Sequence, residues 1–341
     1  MTQANSVRDR VGTAERDGNQ APALRTAGLS VSFETPRGVL RAVTDVNLTL
    51  HSGRILALVG ESGSGKSTVA RSVLGLTART GGEVFYEGRP QAAVRERRGR
   101  ADRKQMQMVF QDPVASLNPR RQIRDIVAEP LVVRKMDRAA RRARAEELLA
   151  EVGLDPDAYG ERLPREISGG QAQRVAIARA VAAEPSVLVA DEPVSGLDVS
   201  VQATVLNLLR ELTDRRGLSI LFISHDLGVV RALCDDLAVL YLGRVCETGP
   251  TEEVLAAPAH PYTAALRAAV PEPGEMLGEL GLSDVEPPSP LNPPSGCAFR
   301  TRCLRAHDRC AADIPQLRTI APGRQVACHS PLVGSDQQAV R

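Results

Sequence analysis

Residues 60–67 read Gly-Glu-Ser-Gly-Ser-Gly-Lys-Ser, with glycine at the first, fourth and sixth positions and a Lys-Ser pair at the end. The octet follows the continuous apolar run Ile55–Val59, the mark of a strand buried on both faces, and precedes a helical pattern. That order constrains the fold strongly. A strand feeding a glycine-rich turn and a helix N-terminus belongs to a mostly parallel sheet, and the N–H groups at such a helix start attract anions. The glycines let the backbone curl around phosphate oxygens, Lys66 reaches the outer phosphates, and the Ser67 hydroxyl suits Mg²⁺. Gly60, Glu61, Ser62, Gly63, Ser64, Gly65, Lys66, Ser67 and Thr68 are therefore expected at a nucleoside triphosphate.

A second segment complements the loop. Val187-Leu188-Val189-Ala190 is an apolar strand that ends in Asp191 and Glu192, at the sheet edge where open α/β folds bind ligands. Adjacent acids can divide the work, Asp191 serving the Mg²⁺ shell and Glu192 polarising a water. Together, loop and carboxylates point to nucleoside triphosphate hydrolysis. A third apolar run, Ile220–Ile223, and helical periodicity at Val175, Ala178, Val181 and Ala182 and again from Val201 to Leu212 continue the alternation of strands and helices. Alternating apolar residues from Leu29 to Leu50 predict antiparallel strands around a Pro36-Arg37-Gly38 turn. Residues 117–165 read as a helical insertion, including a helix over Ala139–Val152.

Composition excludes several classes. Across 341 residues, 43 Lys and Arg oppose 41 Asp and Glu, so a net charge of +2 creates no field toward nucleic acid or anionic lipid. Trp is absent and aromatics are 3%, too few for stacking platforms, and no nucleic-acid partner is expected. The apolar runs fall far short of the ~18 residues a spanning helix needs. The polar N-terminus has no signal-peptide core. The basic run Arg95–Lys104 lacks aromatics and reads as a solvated loop.

The sequence resembles the ATP-binding subunits of ABC transporters. Ser168-Gly169-Gly170-Gln171 is similar to the family signature, with Ile167 where Leu is usual, and Gln111 in Val109-Phe110-Gln111-Asp112-Pro113 resembles the Q-loop. Ser195-Gly196-Leu197-Asp198 resembles the D-loop, and His225 in Ile223-Ser224-His225-Asp226 resembles the switch histidine. The resemblance implies an α/β P-loop cassette with a parallel-sheet core, an antiparallel β subdomain, a helical subdomain and a small C-terminal Cys-rich appendage. It assigns catalysis to Glu192, His225 and Gln111, Mg²⁺ to Ser67, Gln111 and Asp191, and adenine stacking to Phe33. It also sets ATP between the phosphate loop of one subunit and Ser168–Gln171 and Asp198 of another. The expected divisions are a disordered leader (1–24), the cassette (25–257), an appendage with a proline-rich linker (258–334) and a tail (335–341).

Gln111 to Pro119, Leu240-Tyr241-Leu242-Gly243 and His260-Pro261-Tyr262 narrow the resemblance to importers of oligopeptides and dipeptides. That subfamily implies a second, non-identical ATPase subunit, two membrane-spanning permease subunits and an extracytoplasmic solute-binding protein. The chain would then sit at the cytoplasmic face of the cell membrane. Importers of nickel or glutathione are an alternative, as is a soluble ABC ATPase outside transport.

Cys297, Cys303, Cys310 and Cys328 are separated by five, six and seventeen residues, enough to close a Cys₄ site without the paired C-x-x-C of zinc ribbons. The resemblance implies a [4Fe–4S] cluster on these four, with Zn²⁺ as the alternative. Cys234 and Cys246 fall within helix and strand patterns and read as packing thiols. The proline-rich linker predicts a tail remote from the ATP site.

Overall fold

The computed structural model describes residues 21–91, 105–269 and 286–332. Residues 1–20 of the expected leader, 92–104 with the basic run Arg95–Lys104, 270–285 of the linker and 333–341 with the expected tail lie outside the described residues. Residues 21–24, expected in the leader, are among the described residues. Ala23 and Leu24 are buried, because Leu24 opens the first strand opposite Leu50 and Tyr86.

Two sheets organise the chain. β1 (Leu24–Thr35) and β2 (Gly38–Leu50) form the expected antiparallel pair, joined with β4 (Gly81–Tyr86) and β5 (Arg89–Pro90) in the order β2-β1-β4-β5. The larger sheet contains β3 (Ile55–Val59), β6 (Met106–Val109), β7 (Val187–Asp191), β8 (Ser219–Ile223), β9 (Asp236–Tyr241), β10 (Arg244–Pro250), β11 (Arg318–Ala321) and β12 (Arg324–Val326). Its order is β11-β12-β10-β9-β3-β8-β7-β6, parallel from β9 to β6 and antiparallel beyond β9.

Every residue of β3, β7 and β8 is buried, as continuous apolar runs require. Successive side chains still go to opposite faces. Ile55, Ala57, Val59, Leu188, Ala190, Ile220 and Phe222 pack with the helices Ile123–Val133, Arg138–Glu151 and Gly169–Ala182. Leu56, Leu58, Val187, Val189, Leu221 and Ile223 pack with the antiparallel sheet and the helix Lys66–Val73. The parallel sheet is thus the middle layer, and the phosphate loop leaves it at the end of β3. Helix starts carry legible caps: Asp112, Asp137, Ser168, Asp198 and Asp226 each accept a hydrogen bond from a first-turn N–H.

The C-terminal segment does not stand apart. β12 pairs with β10 through Glu247 opposite Val326, so the tail supplies partners to what would otherwise be an open sheet edge. Glu247 is fully buried and accepts from the N–H groups of Ala259 (2.9 Å) and His260 (2.8 Å). Arg324 Nη2 donates to Glu247 Oε1 at 2.9 Å and to the Ala257 carbonyl at 2.8 Å. Replacing Arg324 with Met should cost about 3–5 kcal/mol, the range for removing one partner of a buried pair. A chemical-denaturation midpoint unchanged from wild type would show that this pair does not hold the tail.

Candidate active site

The phosphate loop is squeezed between two backbone carbonyls. A Cβ on Gly60 (φ +150°) would lie 2.1 Å from the Leu240 oxygen, and one on Gly65 (φ +104°) would lie 2.4 Å from the Ala42 oxygen. Only glycine fits either place. Within the loop, Ser64 N–H donates to the Glu61 carbonyl (3.1 Å), while Gly243 N–H donates to the Ser64 carbonyl (2.8 Å). Lys66 begins the helix Lys66–Val73, and its Nζ donates to the carbonyls of Gly60 (2.8 Å) and Glu61 (2.9 Å). Burial lowers its pKa, against the raising effect of Glu192, Asp191 and Glu61.

Three adjacent parallel strands bring the remaining polar groups to the same edge. Gln111 follows β6, Glu192 follows β7 and His225 follows β8. Gln111 Nε2 donates to Glu192 Oε2 at 3.0 Å, and His225 Nδ1 lies 3.2 Å from Glu192 Oε1. Glu192 has φ +47°, unusual for a side-chain-bearing residue, and its N–H donates to the Ile223 carbonyl (3.0 Å). Asp191, one residue earlier, accepts from Ser67 Oγ at 3.1 Å. Burial raises the Asp191 pKa, opposed by that hydroxyl. The strand ending in two acids therefore divides them, one toward the helix start and one toward the neighbouring strands.

In front of these groups lies an open cleft of about 790 Å³. Ser62, Gly63, Gly65, Lys66, Ser67 and Thr68 line it with Gln111, Glu192 and His225, and Phe33 stands on its wall 39% exposed. Gly60, Glu61 and Ser64 are not on that wall. Ser195, which opens the segment resembling the D-loop, is on it, as are Arg41 and Pro290, which nothing in their local sequence singles out.

Ser168, Gly169, Gly170, Gln171 and Asp198 do not line this cleft. Ser168 and Gln171 form a reciprocal cap, with Gln171 N–H to Ser168 Oγ (3.3 Å) and Ser168 N–H to Gln171 Oε1 (2.9 Å). A Cβ on Gly170 would meet Val201 Cγ1 at 2.2 Å, so this helix start packs against the one capped by Asp198. The chain thus carries a phosphate loop and a separate capped helix start.

The tail reaches the phosphate loop, contrary to the remoteness expected of it. Arg302 makes a bidentate ion pair with Glu61 (2.8 and 3.0 Å), and Glu61 N–H donates to Tyr262 Oη at 2.9 Å. Beside this contact, Cys297, Cys303, Cys310 and Cys328 line one small cavity with His260 and His329. Among the described residues, no group of three or more His, Cys, Asp or Glu could hold a metal ion. Burial raises the pKa of Cys297, Cys303 and Cys328, the last to about 11. Cys234 and Cys246 are buried, and Cys246 shares a separate cavity wall with Cys297.

Comparison with known proteins gives this geometry a family. The ABC transporter profile matches residues 43–195, and the profile of the oligopeptide/dipeptide transporter C-terminal region matches residues 246–310. A putative peptide import ATP-binding protein of Brucella ovis is 47% identical over 91% of this chain and 98% of its own length. The oligopeptide transport ATP-binding protein OppF of Haemophilus influenzae is 45% identical over 88% and 91%. Among solved structures, cbiO1 of Clostridium perfringens, part of an ABC transporter complex, superposes with a TM-score of 0.62 at 28% identity, over 70% of this chain and 92% of its own. The cassette MJ0796, dimeric and bound to ADP and Pi, gives 0.62 at 28% identity over 67% and 98%. The chain belongs to the ABC transporter family, as an ATP-binding cassette ATPase that carries the C-terminal region of the oligopeptide and dipeptide transporters.

Proposed function

We propose that this ATPase energises peptide import and that Glu192 is the general base of its hydrolytic step. The observation that carries the catalytic reading is the Glu192 carboxylate, held by Gln111 on one oxygen and His225 on the other. Such a grip orients a base before substrate arrives. The loop N–H groups and Lys66 bind the β- and γ-phosphates, and Phe33 stacks on the adenine from the cleft wall. Ser67, Asp191 and Gln111 present oxygen donors, the set that suits Mg²⁺, and Ser67 and Asp191 already meet at 3.1 Å. Mg²⁺ held by these residues would neutralise phosphate charge. His225 faces the γ-phosphate and the attacking water.

A second cassette, non-identical in our reading, completes the site with its own counterpart of Ser168–Gln171 and Asp198. Support comes from the separation of those residues from the cleft and from the dimeric form of MJ0796. The peptide cargo rests on the relatives named for peptide import and on the matching C-terminal region. Among the described residues no helix is long and apolar enough to cross a membrane, so a pair of permease subunits would supply the route and an extracytoplasmic binding protein the solute. An apolar groove of about 430 Å³, lined by Leu76, Met108, Phe110, Pro130 and Val133 beside the Gln111 segment, suits a cytoplasmic helix of a permease. That docking would set the chain at the cytoplasmic membrane face.

The four tail cysteines are read as ligands of a [4Fe–4S] cluster, with Zn²⁺ as the alternative, on their spacing and on the family resemblance. They line a common cavity, and since no three of them stand close enough among the described residues to hold a metal ion, the reading rests on that resemblance, their spacing and the shared cavity alone. Thiols raised by burial need strong metal stabilisation to remain thiolates. The cluster's role in this reading is structural.

Two outcomes follow from these assignments. Glu192→Gln keeps the geometry but cannot accept a proton, so hydrolysis should fall by about 10²–10⁴ while ATP binding persists. Near-normal turnover in that variant removes Glu192 from the role. Anaerobically purified protein should be brown with about four iron and four sulfide per chain, and Cys303→Ser should lose the colour. Colourless protein carrying one zinc would overturn the cluster assignment.

A further inference from the structure

Glu61, the second residue of the phosphate loop, is tied down at every polar group it has. Its N–H donates to Tyr262 Oη (2.9 Å), and its carbonyl accepts from Ser64 N–H (3.1 Å) and Lys66 Nζ (2.9 Å). Both of its carboxylate oxygens accept from Arg302, at 2.8 and 3.0 Å. The Arg302 side chain is 4% exposed and that of Glu61 21%, so the pair is sheltered and bidentate, the geometry in which a charged hydrogen bond is strong. Arg302 and Glu61 are 241 residues apart in sequence, and Tyr262 is 201 from Glu61.

The base of this grip is an aromatic cluster. Phe299 packs edge-on against Tyr241 (ring centroids 5.3 Å, 88°) and tilted against Tyr262 (5.3 Å), while Tyr241 and Tyr262 lie 4.6 Å apart. Tyr241 ends β9, immediately before the Leu242-Gly243 turn whose Gly243 N–H bonds the Ser64 carbonyl. Phe299 and Arg302 belong to the short segment between Cys297 and Cys303, both of which line the thiol cavity. The thiol-lined knot, the aromatic cluster and the phosphate loop are therefore continuous.

We propose that Arg302 and Tyr262 are positioning residues for ATP: through Glu61 they preset the curl of the phosphate loop and cancel a carboxylate charge beside the phosphate site. Without Arg302, that carboxylate is left unpaired next to Lys66, where it competes with phosphate for the ammonium and repels the nucleotide. The C-terminal region thereby becomes part of the nucleotide site, rather than a remote appendage. The coupling is reciprocal, so bound ATP must in turn steady the segment from Gly296 to Cys303. This inference rests on the ATPase reading and deepens it.

The test is a double-mutant cycle in the full chain, read as affinity for a fluorescent ATP analogue and as KM and kcat for ATP. Arg302→Met should weaken binding and raise KM about tenfold, the loss of one sheltered charged hydrogen-bond pair, with kcat changed less than about twofold. Adding Glu61→Gln, which removes the stranded charge, should recover most of that loss. Arg302→Lys keeps the charge but loses the fork, and should raise KM by about threefold. Hydrogen exchange across residues 296–303 should slow when the analogue binds. An unchanged KM in Arg302→Met overturns the proposal, as does a loss that Glu61→Gln fails to restore. If Arg302→Met does not fold, the lysine variant decides, and a wild-type KM there overturns the proposal equally. A wild-type chain that binds no ATP analogue would overturn the ATPase reading, and this inference with it.

Discussion

The carbonyl oxygens of Leu240 and Ala42 press against the α-carbons of Gly60 and Gly65, and the rest of the site depends on that contact. It requires β9 beside β3, and it requires the antiparallel sheet to lie over the parallel one. Once both hold, the loop has one available path. Its helix starts at Lys66, and Ser67 comes within reach of Asp191 on β7. A side chain at Gly60 would demand backbone movement at Leu240 in the larger sheet, and one at Gly65 at Ala42 in the smaller sheet, and interiors at this density do not yield easily.

The grouping proposed as catalytic follows from sheet order as much as from residue identity. Gln111, Glu192 and His225 are far apart in the chain, yet each follows a strand, and those three strands are neighbours. Parallel strands present their C-terminal ends on one edge, so three strand-end residues converge there without long side chains. The carboxylate at the centre is then held by its two neighbours, an amide on one side and an imidazole on the other.

Much of this was legible in the sequence, for identifiable reasons. Continuous apolar runs announce strands buried on both faces, so β3, β7 and β8 were each readable, as were the glycine-rich loop and the paired acids after Ala190. The Ser168 cap could be read from the Ser and Gln three residues apart, a local pattern. The burial of Ala23 and Leu24 was not legible, because they sit in no periodic run of their own and Leu24 pairs with the distant Leu50 and Tyr86. The tail's placement was not readable at all. β12 is three residues long, and neither its partner β10 nor the Arg302–Glu61 pair has a local signature. Prolines suggested a spacer, but the segment beyond them folds back onto the sheet edge and the phosphate loop. His260-Pro261-Tyr262 marked the region without revealing that Tyr262 grips Glu61.

As proposed, this chain is the engine of an importer, with a cleft on its sheet edge and an apolar groove beside Gln111 that would take the membrane partner. The most direct measurement is cross-linking mass spectrometry of the native complex, solubilised gently from its own membranes. The account predicts two permease subunits and a second cassette, with permease cross-links at the groove around Phe110 and Val133 and the second cassette facing the phosphate loop. A chain recovered free of membrane subunits, or cross-linked to a permease only through its Cys-lined tail, would contradict it.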